Sequence, residues 1–159
     1  MVVSGSAADE KIKEQQKEIG EIVSFARRNW LIFFLAIYAI PIIIASIIVL
    51  VNASSTASTI WASDEFKEWI RSHGYNYTLQ DIQNFITYAG GMALGSGICA
   101  LISLILVYIR RYWIIAVIAC FAAAVLCFWS IFGMIIGFIV AWMIFGARDL
   151  FLDPPKAEA

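Results

Sequence analysis

One histidine and three cysteines are the residues of this chain best suited to catalysis or metal binding. His73 follows Asp64, Glu65 and Glu68, so carboxylates at helical spacing precede an imidazole. Such a group could hold a hydrated metal ion, but one histidine with scattered carboxylates does not match the ligand spacings of known metal sites. Cys99, Cys120 and Cys127 fall in apolar runs, where cysteine behaves as a small hydrophobe. There is no CxxC pair, and the lone histidine sits in a polar segment far in sequence from these cysteines. No Ser-His-Asp or Cys-His constellation can be argued from that arrangement. The chain therefore reads as a non-enzyme with no catalytic, cofactor-binding or metal residue.

The elements that would have to position any chemistry are unusually apolar. Of 159 residues, 62% are hydrophobic and 14% are charged, and mean hydropathy is +0.82. A water-exposed domain carries about 25% charged residues, so a soluble globule is excluded. The net charge of -1 gives no support to nucleic-acid binding. From Phe85 to Ala147 the charged residues are the adjacent Arg110 and Arg111 alone. An arginine pair in hydrocarbon is costly, so this pair belongs at a membrane surface and divides the block. Ionisable groups within spans mark ion and proton paths, and the expected spans contain none.

The pattern predicts an all-α integral membrane protein. Its architecture is a four-transmembrane-helix bundle, with an N-terminal cytoplasmic amphipathic helix and a short helix in the first outside loop. Residues 1–8 read as a flexible N-terminus. Residues 9–28 form the juxtamembrane helix, with Ile12, Ile19 and Ala26 recurring every seven residues and Ile22 and Val23 beside them. The stripe suits either a solvated helix or a docking surface. Residues 29–51 are the first span, an uncleaved anchor with Pro41 in its middle. Residues 52–84 are the outside segment, opening on a flexible NASSTAST stretch. A short helix is expected over about 63–73, with Ser63 as N-cap, Phe66, Trp69 and Ile70 on one face, and Gly74 as the stop. Thr78 and Asp81 have capping-box spacing for the next helix. That helix carries the second span, 85–109, about 37 Å long. A single helix over 112–147 would be about 54 Å long against a hydrocarbon core of about 30 Å. It is therefore divided into spans at 112–129 and 131–147, followed by a cytoplasmic tail, 148–159.

Arg27, Arg28, Arg110, Arg111 and Arg148 then fall on one side, with every basic residue except Lys67 and Arg71. This positive-inside distribution makes both termini cytoplasmic and the location the cell membrane. The arginines serve as topology and lipid anchors. Two N-x-[ST] triplets, at Asn52 and Asn76, fall outside and are acceptors for glycosylation. Small residues recur every fourth position on three spans: Gly91, Gly95, Cys99 and Ser103 on the second; Ala116, Cys120 and Ala124 on the third; Gly133, Gly137 and Ala141 on the fourth. Such stripes let helix backbones approach closely, within one chain or between chains.

The plan is similar to that of claudin-like proteins, but the outside loop has no cysteine and lacks their Trp-Gly-Leu-Trp pattern, so nothing is carried over from them. The expected function is that of a non-catalytic accessory subunit of a membrane complex, for example a respiratory or monooxygenase-type assembly. Its expected partners are lipids and other membrane subunits or itself. The alternatives are a homo-oligomeric channel or carrier, and an organising adaptor that acts through the N-terminal helix.

Overall fold

The computed structural model describes residues 4–128 and 130–152, with side chains from residue 10 to residue 151 among them. Trp129, at the expected turn, and the tail from residue 153 lie outside the described residues, as do residues 1–3. Within them the protein is all-helical: α1 (Ser4–Val51), α2 (Ala53–Ala62), α3 (Asp64–Ser72), α4 (Leu79–Tyr108), α5 (Trp113–Leu126), α6 (Ile131–Phe145) and the short α7 (Asp149–Leu152). Two of these helices, α1 and α4, are long and apolar enough to cross a membrane.

The juxtamembrane helix and the first apolar run form one element. α1 is a single helix of 48 residues, about 72 Å long. Pro41 lies inside it and is exposed. Proline removes one backbone hydrogen bond, and the helix nevertheless continues through it.

The NASSTAST stretch, read from sequence as flexible, is helical. Asn52 is a one-residue joint at which Asn52 N–H donates to the Ile48 carbonyl and Thr56 N–H to the Asn52 carbonyl. The Ser55, Ser58 and Thr59 hydroxyls donate to carbonyls three or four residues back. Ala53 and Ala57 are buried, and α2 packs against α4. Burial of those two alanines and local satisfaction of the hydroxyls offset the low helix propensity of serine and threonine.

The helix ends follow from a few residues. Ser63 accepts from Phe66 N–H to start α3. Gly74, with φ 71°, ends it. Tyr75 N–H reaches the Ile70 carbonyl and Gly74 N–H the Arg71 carbonyl, a Schellman closure. α4 starts on a full capping box: Thr78 accepts from Asp81 N–H, and Thr78 N–H donates to Asp81 Oδ2 at 2.8 Å. α4 ends on a second Schellman closure. Arg110 N–H bonds the Val107 carbonyl and Arg111 N–H the Leu106 carbonyl. The residue in the left-handed position is Arg110, with φ 53°, and Tyr112 follows at φ 56°. Glycine is the usual residue there, because a Cβ costs about 1 kcal/mol in that conformation.

α1 packs on α4, α4 on α5, α5 on α6, and α1 more lightly on α6. Leu31, Leu35, Val107, Val140, Ile144 and Leu150 are the bulkier members of one interior cluster that also holds Cys120, and Tyr38, Ala39, Ala100 and Ala123 form another. The outward faces are strongly apolar: Phe33, Ile37, Ile40, Ile44 and Ile48 of α1 are each about half exposed.

Two outcomes test this account. Gly97 lies against α1, where a Cβ would overlap Ile43, whereas a Cβ on Gly91 would meet nothing within 4 Å. Gly97→Ala should lower stability by about 1–3 kcal/mol through overpacking. Gly91→Ala should raise it by up to about 1 kcal/mol through helix propensity, both read from thermal unfolding in detergent. The Thr78 hydroxyl and then the Thr78 N–H, both donating to the carboxylate, hold the Asp81 carboxyl below its ordinary pKa. The cap is therefore fully present above the ordinary carboxylate value of about 3.9 and fades as pH falls through the lower folded value. The Thr78 amide-proton shift should titrate with a midpoint below about 3.9, and Thr78→Val should move that midpoint upward.

Candidate functional site

The arginines gather at one end of the packed helices. The Arg27 guanidinium donates to the Gly146 carbonyl at the end of α6 and lies 3.3 Å from Asp149 Oδ1. Arg148 sits with its guanidinium 5.5 Å from the Trp113 ring centre. Trp113 in turn donates its indole N–H to the Ile144 carbonyl at 3.0 Å. Arg110 and Arg111 occupy the turn just before Trp113. Arg28 lies 5.2 Å from the Phe25 ring, and the Nε atoms of Arg28 and Arg110 are buried without hydrogen-bond partners. Both members of the Arg27–Asp149 pair are substantially exposed, and an exposed pair is worth about 0–1 kcal/mol. The bond to a helix-terminal carbonyl does more to fix Arg27, because it satisfies an acceptor that α6 leaves open. Arg27 is thereby placed level with the end of α6. Residues 10–26 of α1 extend past it, with Ile12, Ile19, Ile22 and Val23 each more than half exposed.

The small-residue seams are inside the chain, with one shift of register. Ser103, Ala116, Cys120, Ala124, Gly137 and Ala141 are buried. Gly95 makes an ordinary contact with Leu126, Cys99 is half-buried, and Gly133 leaves room for the Cys127 thiol. Gly91 is exposed and packs on nothing, so the seam expected through it does not begin there. α4 is covered on two sides, and each side has its own seven-residue spacing. Gly90 and Gly97 meet α1 at Leu50, Val49 and Ile43. Ser96 and Ser103 face α5, where their hydroxyls donate to the Ala123 carbonyl at 2.6 Å and the Ala116 carbonyl at 2.9 Å. Sequence reasoning missed Gly90, Ser96 and Gly97. The two interleaved heptad spacings were the available signal, and a search for GxxxG alone passes over them.

His73 has no carboxylate cluster around it. Its Nδ1 lies 2.9 Å from the Trp69 carbonyl and 3.0 Å from the Ser72 hydroxyl, and its ring packs 4.7 Å from the Trp69 ring. Among the described residues no group of three or more His, Cys, Asp or Glu is arranged to hold a metal ion. The two sequons differ. The Asn52 amide donates to the Ile48 carbonyl within the α1–α2 joint. Asn76 lies in the exposed linker between α3 and α4.

These features define an all-helical protein with two helices able to cross a membrane, an arginine-rich end and close internal seams. No family model, curated protein or solved structure matches the chain.

The contrast between the sequons gives a prediction. With the α3–α4 linker on the lumenal side, the orientation expected from the charge distribution, translation into eukaryotic microsomes should add one glycan, at Asn76. Asn76→Gln should abolish the gel shift and Asn52→Gln should leave it, since Asn52 is already bonded within a helix joint.

Proposed function

We propose that this chain is a four-span membrane subunit that packs with other chains and performs no chemistry of its own. The spans in this reading lie within α1, α4, α5 and α6, with the arginine end and both termini cytoplasmic. The apolar outer faces support it, because contiguous exposed apolar surface of this extent requires lipid or a partner to cover it. α5 and α6 have 14 and 15 residues, about 21 and 22 Å. Both are shorter than the roughly 30 Å core, a mismatch that local thinning or interfacial aromatic side chains accommodate at modest cost. Gathering of Arg27, Arg28, Arg110, Arg111 and Arg148 at one end supports the inward orientation.

The observation that carries the subunit reading is the N-terminal part of α1. It projects beyond α6 as a charged helix bearing an apolar stripe of Ile12, Ile19, Ile22 and Val23, each more than half exposed among the described residues. The seams point the same way. The buried polar residues among those described are Ser46, Ser96 and Ser103, and each donates to a helix carbonyl. The Ser96 and Ser103 hydroxyls are thus spent on holding α4 against α5 and that of Ser46 on its own helix, which favours a packing subunit over a channel or carrier formed by this chain alone.

Extraction in a mild detergent should yield a particle that contains further chains. Ile12→Glu with Ile19→Glu should release those chains while insertion and helix content stay unchanged, because neither side chain contributes to this chain's own interior. A discrete particle holding this chain alone would sink the subunit reading.

A further inference from the structure

Between α3 and the first turns of α4 lies an open cleft of about 380 Å³. Its walls carry four aromatic rings (Phe66, Trp69, Tyr77 and Phe85) and isoleucines, and the anionic group on it is the carboxylate of Asp81. Among the described residues no lysine, arginine or histidine lines it. The nearest lysine in sequence, Lys67, is paired with Asp64 at 3.6 Å.

The walls are positioned by ring packing along α3 and the linker and by the capping box of α4. Phe66 and Trp69 stack on one face of α3 with ring centres 6.2 Å apart. Tyr75 packs 5.8 Å from Trp69, and Tyr77 packs 5.4 Å from Tyr75, so the linker is laid back along α3. The capping box fixes Asp81: Oδ2 accepts from both the Thr78 amide and the Thr78 hydroxyl, and among the described residues no hydrogen bond is made to Oδ1.

We propose that this cleft binds a quaternary ammonium group, with the cation against the aromatic walls and Asp81 as counter-ion. The volume lies within the range of about 300–1,000 Å³ usual for small-molecule sites. Aromatic faces attract cations through the ring quadrupole, tryptophan most strongly, and cages of such rings recognise choline-like groups. The poverty of acceptors decides between ammonium types. A primary ammonium has three N–H donors to satisfy and is strongly hydrated. A quaternary ammonium has no N–H donor, so rings, isoleucines and one negative charge match it. The cleft borders the start of the apolar run of α4. If the span assignment above holds, that is the depth of lipid head groups, so the ligand is either a choline head group or a soluble choline-like cation. The binding chemistry is the same for both and needs only the fold.

The test uses the full chain purified in dodecyl maltoside, which carries no ammonium group, with saturation-transfer NMR on the N-methyl protons of added choline. Choline should receive saturation, and its neutral carbon isostere, 3,3-dimethylbutan-1-ol, should receive at least about fivefold less, the factor that roughly 1 kcal/mol of cation–π attraction supplies. Asp81→Asn and Trp69→Leu should each cut the choline signal by a similar factor at unchanged helix content. Trp69→Phe, which keeps a ring on α3, should fall between wild type and Trp69→Leu and serves if a harsher variant does not fold. Equal transfer to choline and isostere, no transfer from wild type to choline, or undiminished transfer from the variants would each overturn the proposal. Phosphatidylcholine and phosphatidylglycerol nanodiscs then separate the sources. Loss of choline binding only in phosphatidylcholine identifies the lipid head group, and equal binding in both identifies a soluble cation. The isolated chain is used throughout, so the result is independent of whether the chain belongs to a larger complex.

Discussion

The close approach of α4 to α5 is the contact on which the remaining structure depends. Ser96 and Ser103 reach across it to the Ala123 and Ala116 carbonyls, seven residues apart on each helix. These bonds require the backbones to be near each other, which the alanines and Cys120 on the facing side permit. Side-chain hydrogen bonds between helices are worth only about 0.6 kcal/mol on average in apolar surroundings. Their larger effect is on register: a slip of either helix would leave both hydroxyls misplaced. With that register set, α1 closes on the other side of α4 over Gly90 and Gly97, and α6 closes on α5 where Gly137 meets Ala124.

The two ends of the packed helices are built differently. At the arginine end, polar groups are tied to helix termini: Arg27 to the Gly146 carbonyl, and Trp113 to the Ile144 carbonyl. At the other end the polar segment is mostly helical, and its exposed surface includes a run of aromatic rings beside charged side chains. The run of rings from Phe66 through Trp69, His73, Tyr75 and Tyr77 covers the outer part of α3 and the linker. One end therefore offers cationic side chains and the other offers ring faces with a single fixed carboxylate. That asymmetry matches the difference in their inferred partners, a protein or anionic lipid at the first and a small cation at the second.

Much of the element order could be read from local signals. Ser63, Gly74, Thr78 and Asp81 are end markers whose chemistry operates within four or five residues, so no tertiary information is needed to interpret them. The division of the last apolar block into two helices followed from its length. Two local readings were incomplete. The serine and threonine run after Asn52 became helix because Ala53 and Ala57 found a face of α4 to pack on. The glycine pair that faces α1 is Gly90 and Gly97, and not the more conspicuous Gly91 and Gly95, because α4 is packed on two sides at once.

By itself the sequence determined the all-helical class, the apolar character of the long helices and the position of most helix ends. Those are consequences of composition, 3.6-residue periodicity and backbone hydrogen bonding within a turn. Only the tertiary structure decided which small residues meet which helix, how far α1 projects beyond its neighbours, and that Trp69, Tyr77, Phe85 and Asp81 share one cleft. A contact between helices depends on the relative rotation and register of both partners. A single helix pattern specifies which residues share a face, but leaves open what that face will meet.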